Sequence, residues 1–171
     1  MKYDFLALKD IFEQVDEASI GVLAEEIDER ARIFVYGAGR SGLMLRAFAM
    51  RLAQMGRTVY VVGETVTPAI EENDLLLIAS ASGKTESALR YAQIASRLGA
   101  RVACITATAE SALASCADAV ICLHAPTKDA PDTHSIMGTL FEQAVLLFGD
   151  AVISALDTDP AQMRARHANL E

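Results

Sequence analysis

The sequence feature that most constrains the fold is the alternation of short apolar runs with longer helical patterns. The runs are apolar at nearly every position instead of every second one, which is typical of strands covered on both faces by helices. Strand–helix–strand alternation requires right-handed crossovers and therefore a parallel sheet. The sequence thus predicts an α/β three-layer sandwich around a five-stranded parallel sheet, with strands at 33–36, 58–62, 75–79, 101–106 and 119–123.

The segments between and around these runs carry helix signals. Gly56 and Gly99 are typical helix stops. Asp159, followed by Pro160, is a typical N-cap with proline at the first helical position. Two extra helices are predicted before the first strand, within residues 2–31. The other helices are predicted at about 41–55, 86–98, 110–116 and 137–156, with a short last helix from 159.

Length and charge limit the classes of function. With 171 residues the chain has room for one domain, spanning 1–171. A net charge of -8 repels polyanions, so we expect neither general nucleic-acid binding nor an acidic membrane partner. A small phosphorylated ligand remains compatible, because backbone amides bind phosphate locally.

The cysteines and histidines show no disulfide or metal spacing. Cys104, Cys116 and Cys122 form an odd set without a CxxC pair, which indicates reduced core thiols. The three histidines lack the spacing of a zinc site. No signal peptide or membrane span is evident. We therefore expect a soluble, cytoplasmic protein without a metal.

Two loops follow strands at the edge where parallel sheets bind ligands. After the first strand comes Gly37-Ala38-Gly39-Arg40-Ser41-Gly42, and after the third comes the hydroxyl-rich segment 80–87. Hydroxyls and amides at a helix N-terminus suit a single phosphate, although one hydroxyl there could equally cap the helix. The candidate substrate-binding residues are Gly39, Arg40, Ser41, Ser80, Ser82, Gly83, Thr85 and Ser87.

The glycines of these loops also permit nucleotide-binding interpretations. The first loop is a GxGxxG, and Glu64 follows Gly42 by 22 residues, where a ribose-binding acid would stand. Two observations argue against a dinucleotide site. A dehydrogenase normally needs a separate substrate domain, for which this chain has no room, and the dinucleotide motif does not require the hydroxyl-rich loop after the third strand. The segment Gly83-Lys84-Thr85 is not a P-loop, because Ile78 stands where that motif needs glycine.

The two loops, Gly-Arg-Ser-Gly and Ser-x-Ser-Gly-x-Thr, resemble the sugar isomerase (SIS) domain, a flavodoxin- or Rossmann-like domain that binds phosphosugars. The resemblance covers essentially the whole chain. More specifically, the chain is similar to the 6-phospho-3-hexuloisomerase family in four stretches, at 37–42, 62–70, 137–143 and 166–171.

The resemblance implies a ketose-phosphate isomerase, an intramolecular oxidoreductase that needs no cofactor. It would convert D-arabino-hex-3-ulose 6-phosphate to fructose 6-phosphate, after hexulose-phosphate synthase, in the ribulose monophosphate route of formaldehyde fixation. It also implies a homotetramer with shared active sites. The chain departs from the family at Ala81 and Lys84, and in a segment about two residues shorter before Met137, bordered by His134 and Ser135.

Moving the carbonyl through a cis-enediol requires a base, for which Glu142 is the candidate. It lies on an apolar helix face, but Thr139–Glu142 also fits a capping box, and the family likeness favours catalysis. Arg40 could bind phosphate or an enediolate oxygen, or form a surface salt bridge. His167 would shuttle protons or open the sugar ring if the tail docks near a partner subunit's site.

Several weaker assignments complete the prediction. Thr67 before Pro68 is predicted to be an N-cap, Glu64 either contacts sugar hydroxyls or is merely exposed, and His124 is a second candidate histidine. Alternatives to this isomerase are a non-catalytic phosphosugar sensor, another sugar-phosphate isomerase and a dinucleotide oxidoreductase. A sensor normally carries an output domain, and residues 2–31 offer no basic recognition surface.

Overall fold

The computed structural model describes residues 5–129 and 137–170. Its strands are β1 (Arg32–Gly37), β2 (Val59–Val61), β3 (Asp74–Ala79), β4 (Arg101–Thr106) and β5 (Ala119–Cys122). Its α-helices are α1 (Phe5–Gln14), α2 (Ala18–Asp28), α3 (Gly39–Met55), α4 (Glu86–Arg97), α5 (Thr139–Ala155) and α6 (Pro160–Ala165). The predicted short segment at His134 and Ser135 lies outside the described residues.

The five strands form one parallel sheet in the order β2-β1-β3-β4-β5. Val35 of β1 pairs with Val61 on one side and with Leu77 on the other. The chain places β2 on one side of β1 and then β3, β4 and β5 on the other side, so the strand order reverses between β1 and β3. In such sheets ligands bind at that reversal, beyond the carboxyl ends of the two strands.

Alternate residues of β1 to β4 enter two different cores, which confirms the three-layer sandwich. Ile33 and Val35 face a core built with α1, α2, α3 and α5, whereas Phe34 faces a smaller core built with α4. All six residues of β3 are buried. This burial from both sides explains why the strands are apolar at nearly every position.

Two local predictions are wrong, because the groups concerned form hydrogen bonds with other partners than a helix would require. The predicted helix at 110–116 is only a 3₁₀ turn, Ala114–Cys116, since the Leu113 amide donates to the Gly83 carbonyl (3.0 Å) instead of continuing a helix. No helix begins at Pro68. The Thr67 hydroxyl instead donates to the Val61 carbonyl (2.7 Å) and closes the turn after β2.

Two predicted helix boundaries, at Asp159 and Gly56, are confirmed. The amide of Ala161 donates to the Asp159 carboxylate (2.9 Å), which is the expected cap of α6. Gly56 ends α3 in the left-handed conformation. Among the helices of the described ranges, none is long and apolar enough to cross a membrane.

Of the three cysteines, only Cys104 is a fully buried core thiol, as was expected of all of them. Cys116 and Cys122 are half-buried, and all three are free thiols. Burial raises the pKa of Cys104 to about 12, because the apolar surroundings disfavour the thiolate. Within residues 5–129 and 137–170, no cluster of ligating side chains could hold a metal ion.

Candidate active site

Three helix N-termini converge on a cavity of about 360 Å³ at the carboxyl ends of β1 and β3. The N-cap residues of α3, α4 and α5 are Ala38, Thr85 and Gly138, and all three line the cavity. None of them caps its helix through a side-chain hydrogen bond. The positive ends of three helix dipoles therefore lie at one cavity, which favours an anion there.

The glycines of the first loop allow close contact between backbone segments. A Cβ atom on Gly42 would lie 2.1 Å from the Gly37 carbonyl oxygen, and Gly39 has a φ of +57°. Gly39, Arg40 and Ser41 line the cavity. Glu64, the acid required by a dinucleotide site, lies outside the cavity lining and pairs with Arg46 on α3.

The second loop presents hydroxyls to the same cavity. Ser80, Ser82 and Thr85 line it, and the Ser80 and Thr85 hydroxyls share a hydrogen bond of 3.0 Å. The Ser82 hydroxyl accepts from the Lys84 amide (3.3 Å), so it is held within the loop and not at the cap of α4. The loop thus offers clustered hydroxyls instead of a side-chain helix cap.

The segment after β4 fixes the second loop from behind, a role that the sequence did not indicate. The Ala81 carbonyl accepts hydrogen bonds from the Thr106 hydroxyl (3.2 Å) and the Ala107 amide (3.0 Å). Gly83 has a φ of +60°, and a Cβ atom on it would lie 2.1 Å from the Ser111 hydroxyl oxygen. A polar residue at the end of a buried strand, Thr106, was the available signal.

Two of the three candidate catalytic residues, Arg40 and Glu142, form an ion pair. Nε of Arg40 donates to Oε2 of Glu142, and both residues line the cavity. The Arg40 side chain is 60% exposed, whereas that of Glu142 is 13% exposed. Helix α5 begins after Gly138, so the alternative capping box with Thr139 as N-cap is not formed. The salt bridge predicted as an alternative for Arg40 exists, and it lies within the site.

Three other candidate residues do not line the cavity. Gly83 lies behind the loop, against Ser111. The Ser87 hydroxyl accepts a hydrogen bond of 2.7 Å from Tyr36. His124 is exposed after β5, and its Nδ1 atom lies 3.6 Å from Sγ of Cys122.

His167 lies at the far end of α3 from the cavity. It follows α6, where the Arg166 guanidinium donates to the Met55 carbonyl (3.4 Å) at the end of α3. The 17 residues of α3 make it about 25 Å long. The cavity lies at the other end, beside Arg40. One chain therefore brings together the loops and Glu142, but not His167.

The lining also contains residues that the sequence reasoning missed. They come from the chain after β5 and from the start of α5, namely Thr127, Lys128, Met137, Gly138 and Phe141. The available signal was a polar Thr-Lys pair shortly after the last predicted strand.

Comparison with known proteins supports a phosphosugar site. A model of the SIS domain family matches residues 26–147. The 3-hexulose-6-phosphate isomerase of Mycobacterium gastri is 44% identical over 165 residues, covering 92% of this chain and 83% of that protein. That of Bacillus subtilis is 44% identical over 157 residues, covering 87% and 85%.

A solved structure shows the same likeness. The crystal structure of a Methanococcus jannaschii protein, for which a molecular function of 3-hexulose-6-phosphate isomerase was inferred, superposes with a TM-score of 0.81. Its sequence is 37% identical, and the match covers 97% of this chain and 94% of that one.

Proposed function

The chain belongs to the SIS domain family, and we infer that it is a 3-hexulose-6-phosphate isomerase, which converts D-arabino-hex-3-ulose 6-phosphate to fructose 6-phosphate. Its 44% identity to two isomerases of that name supports the assignment. The observation that carries the proposal is a single cavity in which helix N-termini and hydroxyls face a carboxylate. The helix N-termini and the hydroxyls can bind a phosphate, and the carboxylate can transfer protons.

The substrate phosphate binds to the second loop in this proposal. Ser80, Ser82 and Thr85 supply hydroxyl donors, and the first amides of α4 supply the positive end of its dipole. The hydrogen bonds of Ala81 to Thr106 and Ala107 hold the loop in place before the ligand arrives. Binding therefore needs little ordering of the loop, which reduces its entropic cost.

Glu142 acts as the base. It removes the proton from C2, which leaves an enediolate across C2 and C3, and returns a proton to C3 as the carbonyl forms at C2. The proton on the C2 oxygen is lost and the C3 oxygen gains one. Arg40 holds Oε2, and Oε1 has no hydrogen bond to the part of the chain that the structure describes. Oε1 is thus the oxygen that exchanges protons with carbon.

Arg40 acts mainly on this base. A charge-assisted hydrogen bond from a guanidinium fixes the orientation of a carboxylate. The Arg40 side chain is largely exposed, and its remaining N–H groups can also meet a substrate oxygen. Ser41, at the start of α3, is the proposed donor to a sugar hydroxyl.

His167 acts from a neighbouring subunit in this proposal. Within one chain α3 separates it from the cavity by about 25 Å, so only another copy can bring it there. A homotetramer with shared active sites provides such a copy. The imidazole then transfers protons between the C2 and C3 oxygens or assists ring opening. Supply of the substrate by hexulose-phosphate synthase and a cytoplasmic location belong to the same proposal.

A coupled assay tests the function. Hexulose 6-phosphate is made in situ from formaldehyde and ribulose 5-phosphate, and fructose 6-phosphate is detected downstream. The wild-type protein should turn the substrate over. Glu142→Gln should bind it but lose about 10² to 10⁴ in kcat, as expected for a lost general base.

The matched control is Glu71→Gln. Glu71 also pairs with an arginine, Arg32, at 2.9 Å, but lies away from the cavity. This variant should keep wild-type turnover. Absence of fructose 6-phosphate with the wild-type protein would overturn the function, and undiminished turnover by Glu142→Gln would show that another group is the base.

A further inference from the structure

The charged side chains of the described cavity lining are two basic residues and one acidic residue. They are Arg40, Lys128 and Glu142. Arg40 and Glu142 neutralise each other in their ion pair. Lys128 makes no hydrogen bond or ion pair with residues 5–129 or 137–170, and it is exposed. Within the described lining, Lys128 is therefore an ammonium group without a paired carboxylate, in a chain whose net charge is -8.

The backbone fixes where this lysine enters the cavity. After β5 the residues Leu123, Ala125 and Thr127 are buried, whereas His124 and Lys128 are exposed. Anchoring by the buried residues holds this segment in place. A Cβ atom on Gly138 would lie 3.9 Å from the Lys128 amide nitrogen. The backbone of Lys128 therefore lies beside Gly138, the N-cap of α5, which precedes Glu142 by about one helical turn.

This location places Lys128 at the carboxylate end of the cavity. The phosphate of the proposed substrate is already served by hydroxyls and by the N-terminus of α4. Lys84, the lysine within the second loop, is exposed and does not line the cavity. Removal of a proton from C2 creates a second negative charge, on an oxygen close to the base, and an ammonium group there stabilises it.

We propose that Lys128 is a catalytic residue that binds the enediolate oxygen formed at C2 and C3. The assignment rests on the proposed isomerase function and adds to it the group that stabilises the intermediate. Arg40 then orients the base, and Lys128 meets the charge that the base creates. Because the charge develops only during proton transfer, the lysine should affect kcat more than KM.

The test compares two ligands that share a phosphate. One is a phosphorylated sugar hydroxamate, a planar mimic of the enediolate, and the other is the corresponding sugar-alcohol phosphate, which lacks that charge. Lys128→Met should lower kcat and weaken hydroxamate binding by about 10²-fold each. Its KM and its affinity for the sugar-alcohol phosphate should stay within about three-fold of wild type. Lys128→Arg should restore part of the hydroxamate affinity, because it restores the charge.

Lys9→Met is the matched control, since it removes a lysine of α1 that pairs with Glu13 outside the cavity. Equal weakening of both ligands by Lys128→Met would make the lysine a phosphate contact and overturn the proposal. Unchanged hydroxamate binding would overturn it as well. Both binding measurements are independent of turnover, so a wild-type protein that fails the coupled assay contradicts the proposed function separately.

Discussion

The two ends of the same five strands differ in how their polar groups are used. At the amino end, charged side chains pair with each other across strands and helices. Arg32 donates two hydrogen bonds to Asp74, of 2.8 and 2.6 Å, and Arg101 pairs with Glu26 and Asp118. At the carboxyl end one ion pair, Arg40–Glu142, shares a cavity with helix N-termini, hydroxyls and a lysine.

The difference follows from the topology. In a parallel sheet each crossover helix starts near the carboxyl end of the preceding strand, so the positive ends of the helix dipoles collect there. The amino end lacks this field, and its charges are satisfied internally. Asp74, with its side chain only 2% exposed, also accepts from the Glu71 amide at 2.6 Å. The paired charges of the amino end therefore contribute to stability, and the carboxyl end holds the proposed substrate site.

The largest effect of a substitution outside the cavity should come from Asp74→Ala. The substitution removes the buried acceptor of the Glu71 amide and of two Arg32 hydrogen bonds, and it leaves Arg32 only the exposed Glu71 carboxylate and the Ala69 carbonyl. We expect the free energy of unfolding to fall by about 3 kcal/mol, while kcat/KM per folded molecule stays near wild type. Denaturant unfolding and the coupled assay measure the two quantities. A large loss of kcat/KM with unchanged stability would break the division between the two ends.

A smaller effect of the opposite kind is expected from Ser82→Ala. The loss of one hydroxyl donor to a phosphate should lower kcat/KM by about ten-fold or more, with stability almost unchanged because Ser82 makes only a weak hydrogen bond within its loop. Ser154→Ala is the control, since this exposed serine of α5 donates only to the Asp150 carbonyl. Lost stability without lost activity in Ser82→Ala would contradict the comparison.

The smallest effect at neutral pH concerns the middle of the sheet. The pKa of Cys104 is raised from 9.0 to about 12, because burial disfavours the thiolate. The unfolded chain therefore loses this proton at lower pH than the folded one. Its contribution to stability is complete below about pH 9 and is lost as the pH rises toward 12.

Unfolding in denaturant, measured at about pH 8 and about pH 10.5, checks this dependence. Wild type should lose more stability over that interval than Cys104→Val, which fills the space without a titrating group. Equal losses in the two proteins would show that the thiol does not contribute. Because the Cys104 thiol loses its proton only at alkaline pH, this loss of stability does not affect the comparison of the two sheet ends at neutral pH.

The fold could be predicted from the sequence because burial on both faces leaves a strong local pattern. The unbroken apolar run at 75–79 predicted a central strand, and β3 is buried at every residue. Weak local patterns were less reliable. The helix expected at 110–116 does not form, because Leu113 forms a hydrogen bond with the second loop. The Thr67 hydroxyl closes a turn instead of capping a helix.

The site was predictable only in part. The loops after β1 and β3 could be located, since parallel strands bring their carboxyl ends to one edge. The Arg40–Glu142 pair joins residues 102 positions apart and depends on how α3 packs against α5. The place of Lys128 depends on the path of the chain after β5. Neither leaves a periodic or local signal in the sequence.

The contact between Gly37 and Gly42 has a consequence for assigning proteins by short motifs. Here the spacing shared with nicotinamide enzymes records a steric requirement, because a strand and the helix after it touch backbone to backbone. Any chain with such a close contact between a strand and the following helix will have the same glycine spacing, whatever ligand it binds. The informative residues are the serines and threonine after β3, which line the cavity, whereas Glu64 after β2 pairs with Arg46 outside it.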